Sequence, residues 1–183
     1  MKVISHEREY RGPGAVLALG MFDGVHIGHR ALIRRAVEMA REMGVESMVC
    51  TFDRHPRSVL FPDRAPVPLM TREEQLAEFE KLGADWALIK KFDMEFADVA
   101  ADVYVASLVD ATHAKGIVCG ENYTFGKGGL GNPDMLEELS DAFDYRLEVL
   151  GSVKEGGEVV SSTLIRSLIK NGDLARADRL LGR

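Results

Sequence analysis

The chain has 183 residues, 46% hydrophobic and 28% charged, which is the make-up of one ordinary globular domain over residues 1–183 and excludes intrinsic disorder. Its 23 basic and 29 acidic side chains leave a formal charge of −6, so no overall field draws in nucleic acid or anionic lipid, and an anionic ligand has to be held locally. No apolar run reaches the roughly 18 residues of a membrane-spanning helix, and polar Ser5-His6-Glu7-Arg8-Glu9 follows where a signal peptide would be apolar; a cytoplasmic chain with no membrane partner is expected.

Residues 15–20 are a continuous apolar run, the pattern of a strand covered on both faces. Residues 27–43 follow with Ile33, Val37, Ala40 and Met43 on one helical face, and Gly44 can end that helix in the left-handed conformation. A second strand is predicted over 46–52, closing a βαβ unit. Thr71 and Glu74 form a capping box for a helix with Leu76, Phe79 and Leu82 on one face, ended by Gly83 before a strand at 86–89. Residues 96–109 read as one helix and 116–120 as a strand. Asn132-Pro133 opens a helix to about 143, and a last strand covers 146–150. The alternation predicts an α/β fold, a parallel sheet with helices on both faces, whose ligands bind beyond the carboxyl ends of the strands. Cys50 and Cys119 each close a strand and are expected to be buried and reduced; neither has a CxxC partner.

Unusual residues gather just after those strands. Between the first strand and first helix lies Gly20-Met21-Phe22-Asp23-Gly24-Val25-His26-Ile27-Gly28-His29. Gly20 and Gly24 permit a sharp turn, and Gly28 clears the helix start for a ligand. His26 and His29 share one side of the first turn, where free amides already favour an anion, so the segment reads as a phosphate clamp. A plain surface His pair and a zinc site are the alternatives, the latter without a nearby third ligand. Thr51-Phe52-Asp53-Arg54-His55-Pro56 is a weaker signal, either an ordinary loop or an apolar slot made by Phe52 and Pro56 beside Arg54 and Arg57. Gly120-Glu121-Asn122-Tyr123-Thr124-Phe125-Gly126-Lys127-Gly128 misses the Walker spacing and lacks its Ser/Thr, so it is no P-loop. Tyr123 and Phe125 beside Asn122 suit a planar heteroaromatic ligand, or else belong to the core. Ser161-Ser162-Thr163 with Arg166 offers more donors than an N-cap needs, the make-up of a second anion site.

Together these segments resemble the adenylyltransferase module of bacterial FAD synthetases, the family of bifunctional riboflavin kinase/FMN adenylyltransferases. The likeness runs through Thr51-Phe52, His55-Pro56, Gly120 to Gly126, Ser161-Ser162-Thr163, Ile165-Arg166 and Leu180-Leu181-Gly182-Arg183. It implies a Rossmann-like nucleotidyltransferase fold and transfer of AMP from MgATP to FMN, giving FAD and pyrophosphate by direct in-line attack. By motif position, His26, His29, Ser162, Thr163 and Arg166 would hold the nucleotide's phosphates, with Asn122 near the substrate and the Mg2+. The flavin would lie along Phe52, His55, Pro56, Tyr123 and Phe125. Gly20, Phe22, Asp23, Gly24 and Gly28 would complete the ligand site. Lys127 is the single charge of a glycine-dense loop, 126–131, expected to be mobile until substrates bind; it would approach a phosphate in place of the basic residue that the family commonly has where Gly129 stands. The family commonly has Glu-Pro where this chain has Asp53-Arg54, and a riboflavin kinase domain after the module. The HxGH element alone would also fit a nucleotidyltransferase for another phosphorylated acceptor, or a non-catalytic flavin- or nucleotide-binding module.

Overall fold

Apolar runs and amphipathic stretches alternate from residue 15 onward, and the backbone follows them. A computed structural model describes residues 1–183. In chain order its elements are β1 (Lys2–Ile4), β2 (Ala15–Leu19), α1 (Ile27–Met43), β3 (Glu46–Phe52), α2 (Arg57–Leu60), α3 (Arg72–Lys81), β4 (Trp86–Lys90), α4 (Met94–Ala97) and α5 (Ala101–Thr112). They continue as β5 (Gly116–Gly120), α6 (Pro133–Phe143), β6 (Arg146–Leu150), β7 (Lys154–Glu155), β8 (Glu158–Val159), α7 (Ser162–Lys170) and α8 (Leu174–Leu181). The main sheet has the order β1-β4-β3-β2-β5-β6, and every neighbouring pair in it is parallel.

That order fixes where a ligand can sit. From β2 the chain steps outward to β3 and β4, then returns across β2 to build β5 and β6. Connections therefore leave β2 and β5 in opposite directions, opening a crevice beyond their carboxyl ends.

Both faces of the sheet are covered, as the continuous apolar strands require. Leu17, Leu19, Met48, Cys50, Leu88, Ile117 and Cys119 face Tyr104, Val105 and Leu108 of α5 and Leu136 of α6. Val16, Ala18, Val49, Ala87 and Val118 face Ile33, Val37 and Ala40 of α1 and Phe79 of α3. Cys50 and Cys119 are buried and unbridged, and burial pushes their thiols up to about 12 and about 11, which leaves them protonated and inert. The caps act as read: Gly44 ends α1 at φ 68°, Thr71 and Glu74 form a capping box, and Asn132 caps α6 with Pro133 at its first position.

One predicted helix breaks. Residues 96–109 divide into α4 and α5 around an extended Ala100, because the glycine-dense loop hooks in at that point. Lys127 N–H donates to the Val99 carbonyl at 2.7 Å, while Phe125 and Gly131 exchange two backbone bonds of 2.9 and 3.1 Å. The loop is thus closed at its base by the Phe125–Gly131 pair and tied at Lys127 to the connection between α4 and α5. Gly126 sits at φ 70°, where a Cβ would lie 2.5 Å from Ala101 Cα. Strand β1, the β7–β8 hairpin across Gly156-Gly157 and helix α8 were not anticipated. The last buries Ala177, Leu180 and Leu181 against Ile165 and Leu168 of α7.

Gly44 and Gly126 share a positive φ, but a Cβ at Gly44 meets nothing within 4 Å. Gly44→Ala is expected to cost only the left-handed strain, about 1–2 kcal/mol, whereas Gly126→Ala adds overpacking of about 1–3 kcal/mol. Denaturant unfolding of the two variants checks this, and equal losses would mean that Ala101 yields freely.

Candidate active site

The crevice is organised by the turn between β2 and α1. Phe22 and Val25 hold φ values of 52° and 41°, with Gly24 at 82° between them. Left-handed backbone at two non-glycine residues costs about 1–3 kcal/mol each and survives only where neighbours over-determine it. Three elements do so here. Thr51 Oγ1 of β3 donates to the Met21 carbonyl at 2.8 Å, Gln75 Nε2 of α3 to the Phe22 carbonyl at 2.9 Å, and Ser162 Oγ of α7 to the Asp23 carbonyl at 2.9 Å.

The turn delivers His26 as the N-cap of α1. Its Nδ1 accepts the His29 N–H at 3.2 Å, so a neutral His26 carries its proton on Nε2. The two imidazoles stack with centroids 3.6 Å apart and planes 16° apart. Burial pushes His26 down to about 4 and holds His29 well below the usual imidazole range, with the neighbouring His26 adding to the effect. His29 Nδ1 is buried without a partner. Both rings are neutral at physiological pH, each keeping one N–H, so the pair presents neutral donors at a helix N-terminus and not two cations.

Several predicted ligand contacts are replaced by framework roles. Phe22 is wholly buried; its ring packs edge-on to His29 and Phe79, supporting the imidazole from beneath. A Cβ on Gly20 would strike the Phe22 ring at 2.9 Å, and one on Gly28 would lie 3.2 Å from the His26 ring. These glycines therefore make room for neighbours of the turn itself. Gly24 is buried within the turn. Asp23 turns its carboxylate away from the histidines, accepting the Leu69 N–H at 2.9 Å and pairing with Arg166.

The second helix start also differs from its reading. Ser161 caps α7 through the Leu164 N–H at 3.2 Å, Ser162 braces the turn, and Thr163 is exposed. Arg166 is held by Asp23 and by a 2.7 Å bond from Nε to the Val67 carbonyl.

A cavity of about 480 Å³ runs from His26 and His29 past Asn122 and Tyr123 to Ser152 and Val160. Asn122 Nδ2 donates to Ser152 Oγ at 3.3 Å, and Glu121, which follows β5, accepts the Ser152 N–H at 2.9 Å. Beside it lies an aromatic cavity of about 720 Å³, walled by Phe52, Phe92, Phe96, Tyr104 and Phe125 and rimmed by Lys127. Lys127 Nζ is 3.0 Å from Asp98 Oδ1, so the chain itself supplies its counter-charge. Phe52, Pro56, Arg57 and Thr124 line both cavities, making one shared wall. His55 lies at the edge of the first cavity; burial lowers its imidazole, and the positive field of Arg166 lowers it further.

The sequence profile of the FAD synthetase family matches residues 9–164. This chain belongs to the FAD synthetase family. A Listeria monocytogenes relative named bifunctional riboflavin kinase/FMN adenylyltransferase is 35% identical over 95% of this chain and 55% of its own length. A Haemophilus influenzae relative of the same name is 34% identical over 93% of this chain and 56% of its own length. The chain thus spans about half the length of these curated relatives, although it covers 97% of a 34%-identical Geobacillus thermodenitrificans relative. Among solved structures, a Streptococcus pneumoniae protein described as a macrolide-efflux protein superposes with a TM-score of 0.86 at 30% identity, over 99% of this chain and 61% of that one. Francisella tularensis pantoate-beta-alanine ligase shares the fold at a TM-score of 0.58 and 15% identity, over 100% of this chain and 78% of that one. In the present chain no helix is long and apolar enough to cross a membrane.

In this FAD synthetase family member Asp53 Oδ1 accepts the Phe92 N–H at 2.9 Å. Phe92, Phe96 and Tyr104 were missed as site residues because they sit just after β4, in α4 and in α5, where aromatic residues look like ordinary core. Ser152 was missed because nothing in its local sequence marks it.

With the folded pKa of His26 depressed to about 4, the unfolded chain takes up the proton first as pH falls below about 6.5. Stability is therefore full above pH 6.5 and declines toward pH 4, by about 3 kcal/mol for this group. His26→Asn, which can still cap α1, is expected to flatten that part of the stability–pH curve. An unchanged slope in the variant would show that His26 titrates normally.

Proposed function

We propose that this chain transfers the AMP moiety of MgATP to FMN, giving FAD and pyrophosphate. The observation that carries the reading is the shared wall: a cavity at the start of α1, lined by His26 and His29, meets an aromatic cavity at Phe52, Pro56, Arg57 and Thr124. A nucleotide in the first and a flavin in the second would bring their phosphates together there. An FMN phosphate oxygen attacks the α-phosphorus in line, the bond to the β-bridging oxygen breaks, and pyrophosphate leaves with the electron pair. No protein nucleophile is needed, because the attacking oxygen is already anionic. The protein aligns the reactants, worth up to roughly 7–11 kcal/mol in favourable cases, and places donors where charge develops.

His26 and His29 donate to the phosphates from α1; Ser162, Thr163 and Arg166 act from α7. The isoalloxazine ring stacks along Phe52, Pro56 and Phe125, whereas His55 and Tyr123 line the first cavity and face the nucleotide. Lys127 closes the rim and exchanges Asp98 for phosphate. The chain has no cluster of three or more His, Cys, Asp or Glu side chains able to hold a metal ion, so magnesium enters on the ATP phosphates, whose charge it neutralises. Asn122 offers it one hard oxygen, its amide nitrogen being committed to Ser152. FMN is supplied by a riboflavin kinase, which the names of the relatives place on their own chains.

Incubation with FMN and MgATP is expected to yield FAD and pyrophosphate, with CTP or phosphopantetheine unproductive, and riboflavin plus ATP unconverted by these 183 residues. His29→Ala should lower turnover by about 10²-fold or more. Transfer to phosphopantetheine would indicate another acceptor, and flavin binding without turnover would indicate a binding module.

A further inference from the structure

We propose that Asp23 is a positioning residue that presets the Arg166 guanidinium for the nucleotide phosphates and ties the starts of α1 and α7 into one anion site. The inference rests on the adenylyltransferase reading above.

Asp23 joins three segments. Its carbonyl receives Ser162 Oγ at 2.9 Å, its Oδ1 receives the Leu69 N–H at 2.9 Å, and its other carboxylate oxygen pairs with Arg166. The ion pair is well shielded, the side chains being 13% and 21% exposed, so water and salt weaken it less than a surface pair. Arg166 has a second anchor in the Val67 carbonyl, 2.7 Å from Nε. Two fixed points orient the plane of the guanidinium. Of its five N–H groups these anchors use two, leaving three for a phosphate. A guanidinium already oriented loses little rotamer freedom when the anion arrives. Its field already reaches His55, whose imidazole lines the nucleotide cavity.

Direct contact between Asp23 and the substrate is the poorer explanation. Both carboxylate oxygens are occupied, and a carboxylate facing phosphates would repel them. Asp23 therefore acts through Arg166.

Calorimetric titration with MgATP, without FMN, tests this on the parent, Asp23→Ala, Asp23→Asn, Arg166→Ala and the double variants. Asp23→Ala and Arg166→Ala are each expected to raise Kd about 10-fold or more, the range for losing a charge-assisted bond. The double variant should bind no more weakly than Arg166→Ala alone, and the near-isosteric Asp23→Asn, keeping one oxygen for Arg166, should lose less. KM for FMN should hold in Asp23→Asn while KM for ATP rises, a split that general loosening would not give. If Asp23→Ala fails to fold, the Asp23→Asn and Arg166→Ala cycle carries the same test. Parental affinity in the Asp23 variants, or losses that multiply in the double variant, overturns the positioning role alone. A parent that binds no MgATP overturns the adenylyltransferase reading as well.

Discussion

The site depends on the left-handed turn between β2 and α1. Phe22, Gly24 and Val25 hold positive φ, an arrangement that a free chain would abandon. Thr51, Gln75 and Ser162 donate to the carbonyls of Met21, Phe22 and Asp23, and their bonds come from β3, α3 and α7. Because three separate elements fix three successive peptide groups, the turn forms only when the sheet, α3 and α7 are all in place. Strain at the site is thereby coupled to the stability of the whole fold.

Consequences propagate outward from the turn. It sets His26 as the cap of α1 and stacks it on His29, which in turn rests on buried Phe22. Burial removes the charge from both imidazoles, so what they offer a ligand is N–H groups beside a helix start, not positive charge. The same turn presents Asp23 to α7, where Ser162 and Arg166 bind it. On the far side, Gly126 and Lys127 enter between α4 and α5, letting Phe125 and Tyr104 line a common cavity. The two cavities meet because the loops after β3 and β5 pass between them.

Much of this was legible in the sequence for physical reasons. Buried parallel strands must be largely apolar, so β2, β3, β4 and β5 stood out, edge strand β6 showed as an alternating apolar and charged run, and α1, α3 and α6 carried their own caps. The break between α4 and α5 was not legible: residues 98–100 contain no glycine or proline, and the helix is interrupted by a loop some 27 residues downstream in the chain. Strand β1 is three residues long, too short for periodicity to mark. In the site, residue types were readable but orientations were not. The motif could not reveal that Phe22 faces inward, that Asp23 binds Arg166, or that the glycines admit the protein's own rings. The roles of Phe22 and Asp23 depend on partners far along the chain, Phe79 and, 143 residues away, Arg166, whereas the glycine contacts are local but set by the backbone of the turn.

The central claim is that two cavities with one shared wall hold the two halves of a single dinucleotide. A crystal structure of the chain with FAD bound tests it most directly. The adenylate should lie at the start of α1 beside His26 and His29, the isoalloxazine ring in the aromatic cavity against Phe52 and Phe125, and the pyrophosphate linkage across Phe52, Pro56, Arg57 and Thr124. An isoalloxazine ring outside the aromatic cavity, or both halves of FAD within one cavity, would contradict the account.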